Sequence, residues 1–336
     1  KEDLTSLQLF KSVQVKEKTS ENNLVDIEII VEEQQTGTVN AGVSVGTLDG
    51  FAVVAGLSER NFYGTGRSVN ALINTSEDRT EFTLETTDRL SYENDVDISY
   101  KSSYEDEDFA ETSSYKLSTL TLGTGIDYKL NDKLRHGIDF NYLIKDYTIT
   151  NESTVSSTIG NISGENVSFV IINNLFYNTL NSIYQPMNGR LINYTNVIES
   201  PTSSSNGYIK NIITFKNFKK IKKNIFSNQT RVGNIVSISD NDIVTDDKFS
   251  LGGKWLRGFD IAGAGPRNSR TSYVGGNNLL VSKFDYSREI FDNSNFPIYL
   301  NLFNDYGLVW ENKTKPTQND NNLRSSVGFG VKYYSP

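Results

Sequence analysis

One arginine set among glycines and aromatics is the first candidate for chemistry. In Leu251-Gly252-Gly253-Lys254-Trp255-Leu256-Arg257-Gly258-Phe259, Arg257 sits in a glycine-flanked turn between strand-like stretches. A planar cation there can stack on Trp255 or Phe259 in a surface turn, or its fixed fork can engage a carboxylate through two bonds. Enzymatic alternatives are poorly furnished. The chain has one histidine, His136, and no cysteine, so a histidine-dependent hydrolase triad and a His/Cys metal centre both lack their groups. Glu105 to Asp108 offers paired carboxylates, but as a loop tip it reads as a solvated surface. Ile261-Ala262-Gly263-Ala264-Gly265-Pro266 hints at phosphate binding, yet no helix follows and Pro266 interrupts it. The basic run Lys216 to Lys223 lies in a chain of net charge -8; it reads as a turn whose lysines reach lipid headgroups while Phe218 and Ile221 dip into the interface. No catalytic residue, metal, cofactor or nucleic-acid partner is expected.

The elements that would position Arg257 are strands. From Thr119 to Leu130 the even positions are Leu120, Leu122, Thr124, Ile126, Tyr128 and Leu130, and the odd ones Thr119, Thr121, Gly123, Gly125, Asp127 and Lys129. After Asn131-Asp132-Lys133 the alternation resumes, with Ile138, Phe140, Tyr142 and Ile144 opposite Gly137, Asp139, Asn141 and Lys145. His136 travels with the apolar set, near the end of a lipid-facing side. A soluble sandwich alternates too, but these runs have the length of tilted strands that cross a bilayer. No apolar run approaches the roughly 20 residues of a transmembrane helix. Strands are expected at 38–47, 51–59, 66–75, 79–88, 94–104, 114–130, 133–148, 167–182, 189–200, 206–217, 225–238, 276–288, 297–311 and 324–334, fourteen in all. Short turns such as Gln185 to Gly189 alternate with long loops at 149–166 and 239–275, the asymmetry of outer-membrane barrels.

The first 36 residues differ. Leu4, Leu7 and Phe10 suggest a helix end, and Ser12 to Lys18 and Leu24 to Glu33 read as short strands, with Val25, Ile27, Ile29 and Val31 alternating against Asp26, Glu28 and Glu32. The expectation is an all-β chain: a transmembrane antiparallel β-barrel over 37–336, preceded by a partial α+β unit over 1–36.

Several separated stretches resemble one family, the BamA-type outer-membrane assembly factors, or bacterial surface antigen family, of POTRA-plus-barrel insertases. Leu256-Arg257-Gly258-Phe259 resembles the tip of the loop that folds back into the barrel of that family. Gln34-Gln35-Thr36-Gly37 is similar to its junction into the first barrel strand, Glu59 to Gly66 to its first periplasmic turn, and Phe303 to Trp310 to its thirteenth strand. Leu9 to Val13 with Val25 to Glu33 resembles the last part of a POTRA domain. The resemblance implies a barrel of about sixteen strands, so a chain ending at Tyr333-Tyr334-Ser335-Pro336 is expected to lack the last two strands and most POTRA domains.

What the resemblance implies about function is specific. Loop 239–275 would fold into the lumen, with Asp285 and Asp305 as partners of Arg257; parity agrees, since Asp285 travels with Lys283 and Ser287, and Asp305 with Asn301 and Gly307. The strand Thr38, Val39, Asn40, Ala41, Gly42, Val43, Ser44, Val45, Gly46 would flank a lateral gate. Its small residues give little packing to lock its register. The implied activity is insertion of barrel proteins into the bacterial outer membrane by strand templating, without cofactor or covalent step. Unfolded outer-membrane protein clients, outer-membrane lipids and periplasmic accessory lipoproteins are the implied partners, with residues 1–36 in the periplasm. The alternative is a relative that exports a polypeptide, by two-partner secretion or autotransporter assembly, through or beside the same barrel.

Overall fold

A computed structural model describes residues 9–19, 25–46, 50–91, 95–183, 185–202, 207–238, 243–268, 273–291, 297–311 and 321–333. Two antiparallel sheets account for its strands. The first is a pair, β1 (Phe10–Thr19) and β2 (Val25–Glu33). Phe10 therefore opens a strand and does not end a helix, because it pairs across to Glu33; Leu4, Leu7 and Leu24 lie outside the described residues.

The second sheet has fourteen strands in strict sequence order. They are β3 (Gly37–Gly46), β4 (Gly50–Glu59), β5 (Ser68–Thr75), β6 (Arg79–Ser91), β7 (Val96–Asp108), β8 (Tyr115–Asn131), β9 (Leu134–Ile149), β10 (Gly164–Asn178), β11 (Gly189–Ser200), β12 (Tyr208–Ile221), β13 (Asn224–Ser237), β14 (Asn278–Phe291), β15 (Ile298–Trp310) and β16 (Arg324–Tyr333). Every neighbour is antiparallel, so each connection is a hairpin or loop and no crossover is needed. Among the described residues β3 pairs only with β4 and β16 only with β15, and the sheet does not close on itself. No helix among them is long and apolar enough to cross a membrane.

Period-2 alternation sorts side chains onto two faces. One carries exposed apolar residues such as Phe140, Phe169, Phe284 and Leu302. Polar groups on that same face bond to each other: Asn173 donates to Asn196, Asn196 to Asn211, and Asn234 to Asn278, along cross-strand partners from β10 to β14. The opposite face holds Lys145, Asp285 and Asp305 and packs on the long loop after β13.

Several expectations shift where strands outrun their alternation. β7 continues to Asp108, so Glu105 to Asp108 is a strand end; Glu105 meets Arg79 at 2.5 Å and Asp108 meets Lys116 at 2.6 Å. β12 likewise runs to Ile221, and the turn is only Lys222-Lys223, with Lys222 at φ +56°. Phe218 and Ile221 consequently have opposite parity in one strand and cannot dip together into an interface. β10 stops at Asn178, four residues early, because Asn178 and Asn181 side chains accept backbone N–H groups of Leu180, Met187 and Asn188 and build a wider turn. Helical turns occupy Ala110–Ser113 and Ser157–Gly160 in the loops.

Candidate functional site

The loop between β13 and β14 is shaped by its apolar residues and its glycines. Phe249, Leu251, Leu256 and Ala264 are buried with Ile235, Leu279, Val281 and Val309 of the sheet's inner face. Glycines on the strands make the room: a Cβ on Gly307 would lie 2.7 Å from Leu251 Cδ1. The spacing of Gly263 and Gly265, which suggested phosphate, serves packing of this kind, since a Cβ on Gly265 would overlap Val309. Inside the loop, Gly253 N donates to Phe259 O (2.9 Å) and Trp255 N to Gly252 O (3.1 Å), closing the tip into a compact turn. Gly252 has φ +137° and Gly258 φ +86°, conformations that L side chains rarely adopt.

A Cβ at Gly252 would also overlap the Asp260 carbonyl oxygen. Gly252→Ala is therefore expected to undock the tip at a cost of about 2–4 kcal/mol. Limited proteolysis across residues 249–260 should show new cleavage, and parental protection would argue against this account.

The tip delivers Arg257 to two carboxylates on adjacent strands. Nε and Nη2 donate to Asp305 Oδ2 and Oδ1 at 2.7 and 2.5 Å, and Nη1 and Nη2 donate to Asp285 Oδ1 and Oδ2 at 2.9 and 3.2 Å. The Arg257 backbone N–H adds a bond to Asp305 Oδ2 at 3.2 Å. The guanidinium carbon lies 3.9 Å from the centre of the Phe303 ring. Trp255, a candidate stacking partner from sequence, instead takes Arg231 at 4.3 Å. Asp305 is fully buried, while Asp285 also accepts from Asn301 (3.0 Å) and meets Lys332 (3.4 Å). Burial disfavours the Arg257 charge, but its hydrogen bonds to Asp305 and Asp285 outweigh that and hold the guanidinium above its ordinary range.

Leu256, Arg257, Gly258, Phe259, Asp285 and Asp305 thus form one constellation. Thr38 to Gly46 do not join it; they form β3, the sheet's opposite edge from β16, and Thr47 lies outside the described residues. Phe303 and Lys332 were missed by sequence reasoning. Both lie on the inward parity of their strands, Phe303 with Asp305 and Lys332 opposite Tyr299, and Gly328 opposite Phe303 leaves room for that ring. Four guanidinium bonds to two carboxylates tie the loop tip to β14 and β15.

The sequence and fold match known proteins. The Omp85 superfamily domain matches residues 61–336. Outer membrane protein assembly factor BamA of Nitratidesulfovibrio vulgaris is 24% identical over 329 residues, covering 95% of this chain and 40% of the relative. The protein of the same description from Neorickettsia risticii is 22% identical over 341 residues, covering 99% and 45%. The chain therefore spans less than half the length of these curated relatives. Among solved structures, BamA from Haemophilus ducreyi lacking POTRA domains 1–3 superposes with TM-score 0.87 at 21% identity, covering 100% of this chain and 71% of that one. CdiB from Acinetobacter baumannii gives TM-score 0.60 at 13% identity, covering 99% and 61%. The higher score against the BamA structure indicates which barrel geometry this chain shares more closely.

Proposed function

The chain belongs to the Omp85 superfamily, a family whose assembly factors are not enzymes, and from that premise we propose that it inserts β-barrel proteins into the bacterial outer membrane through the open edge of β3. The observation that carries the reading is the likeness of the whole fourteen-stranded sheet to the BamA fold, in which β3, built of small residues and glycines, is the first strand of the sheet. In hydrocarbon each unpaired backbone N–H or C=O costs several kcal/mol. An edge held in the membrane is therefore a template on which an incoming strand recovers those bonds. Exchange of hydrogen bonds needs no nucleotide, metal or covalent intermediate.

The phase of the free groups follows from one bond. Arg60 N donates to Thr36 O, and the β3–β4 register pairs Gly37 with Glu59, Gly42 with Val54 and Val43 with Val53. Antiparallel pairs alternate between bonded and non-bonded, so even-numbered residues of β3 bond to β4. Val39, Ala41, Val43 and Val45 then turn their N–H and C=O toward the open edge, where a client strand would dock. Residues 1–36 would lie in the periplasm as part of a POTRA domain, and loop 239–275 in the lumen. Unfolded barrel proteins, lipids and accessory lipoproteins are the partners this reading requires.

Export of a polypeptide through or beside the same barrel is the second reading. The clamp on Arg257 weighs against it, because a loop seated by five hydrogen bonds would stand in that path if it lies in the lumen. Reconstitution of the full-length protein in liposomes with an unfolded barrel client tests the choice: insertion of the client into the same bilayer supports templating, and its recovery inside the liposome supports export.

A further inference from the structure

The loop is held at a second place by groups that the Arg257 clamp does not use. Asp246 and Asp247 lie near the start of the loop, in a turn where Asp247 N donates to Val244 O and Lys248 N to Thr245 O. Lys145 of β9 reaches both carboxylates, at 3.2 Å from Asp246 Oδ2 and 3.1 Å from Asp247 Oδ1. The Tyr147 hydroxyl donates to Asp246 at 2.9 Å, and the Tyr208 hydroxyl of β12 to Asp247 Oδ1 at 3.1 Å. Lys210 of β12 donates to the Asp247 main-chain oxygen at 2.6 Å. The side chains of Lys145, Asp246 and Asp247 are only 11%, 9% and 12% exposed. Lys145 and Lys210 are the cations that bond to this pair of residues, Lys145 through both carboxylates and Lys210 through the Asp247 main chain.

We infer that Asp246 and Asp247 form a second anchor of the loop, bound to β9 and β12 where the Arg257 clamp is bound to β14 and β15, so that the loop is a strut tying β9 to β15 on the lumen side. The two anchors share no side chain. β9 and β15 are separated by five strands of the sheet, and a loop tied to both links strands that are not neighbours. It rests on the reading of this sheet as an outer-membrane barrel. Asp246 and Asp247 are positioning residues: they keep the strut seated, and thereby shut the lumen, while client insertion proceeds at the edge.

The chemistry makes the anchor sensitive to single-partner removal. Losing Lys145 leaves two carboxylates in a dry site, which is far worse than neutralising both sides of the pair. Burial already pushes the Asp246 carboxyl above the usual carboxylate range, against the opposing pull of Lys145. The apolar surroundings reinforce the dryness, since Val244 packs on the cluster of Tyr115, Leu117, Tyr147 and Ile159.

Planar-bilayer conductance of the full-length protein tests this. Lys145→Met should raise the frequency of large openings by roughly tenfold or more, with Arg257 untouched. Lys145→Met combined with Asp246→Asn should return it to within about threefold of the parent, since Asp247 keeps Lys210 nearby. A merely structural packing role would not produce that rescue. Tyr147→Phe with Tyr208→Phe, which keeps the charges and the shape, should show a smaller increase and decides the matter if Lys145→Met does not fold. Parental conductance in whichever of these variants folds, or equal opening with and without Asp246→Asn, would overturn the second anchor. Client insertion measured on the same preparations is a separate readout: its failure in the parent protein would count against the proposed function and leave the conductance result standing.

Discussion

Arg257→Lys is expected to release the loop tip nearly as completely as Arg257→Ala. An alanine leaves Asp305, which is fully buried, and Asp285 facing each other without their shared cation. Breaking a buried pair by removing one partner costs about 3–5 kcal/mol. Lysine restores the charge but not the geometry. The guanidinium makes two bonds to each carboxylate and lies over Phe303, whereas an ammonium is a compact charge that cannot span both acids or stack as a plane. Hydrogen exchange across residues 249–259 and protease resistance are the measurements, with client assembly as the functional one. Asp305→Asn should be more damaging than Asp285→Asn, because Asp305 receives three of the five bonds and Asp285 retains Asn301. Wild-type protection and assembly in Arg257→Lys would show that charge alone suffices and that the fork has no role.

Val43→Pro is expected to cut client assembly about tenfold or more while leaving the barrel folded. Proline removes one N–H that the alternation directs away from β4, and loss of one edge bond worth 1.4 kcal/mol is already a factor of about ten. Val43 is exposed and lies on the outward face of an edge strand, where proline is tolerated best. Gly42→Pro is the control with the opposite expectation, since Gly42 pairs with Val54 in the bonded phase and its loss attacks the β3–β4 ladder itself. Heat-modifiable mobility on gels reports folding, and the liposome insertion rate reports function. Unimpaired insertion by a folded Val43→Pro protein would remove the edge-template mechanism from consideration.

Strand count, order and face were legible from the sequence because they depend on local alternation. Leu120 to Leu130 and Ile138 to Ile144 separate their faces without reference to any distant residue, and fourteen strands in sequence order follow from hairpin connections. The inward parity of Asp285 and Asp305 was visible for the same reason. Strand ends were less so: Glu105 to Asp108 and Lys216 to Ile221 are polar and resemble loops in composition, yet the ladder continues through them because each residue has a backbone partner across the pair.

Alternation is blind to what crosses the lumen. Nothing local in Asp246-Asp247 distinguishes an anchor from a solvated turn; Lys145 stands 101 residues away from Asp246 in the chain, and only curvature of the sheet brings them to 3.2 Å. Trp255 and Phe303 show the same limit, since the sequence offered Trp255 or Phe259 as the rings Arg257 could stack on, while the tertiary structure gave Arg257 to Phe303 and Arg231 to Trp255. What the sequence by itself determined was which residues face inward and in what order the strands lie, because backbone geometry repeats every two residues. Which inward residues meet was decided by the tertiary structure, because the partners of a buried charge are set by the curvature of distant strands around the loop and by the cost of leaving any of those charges alone.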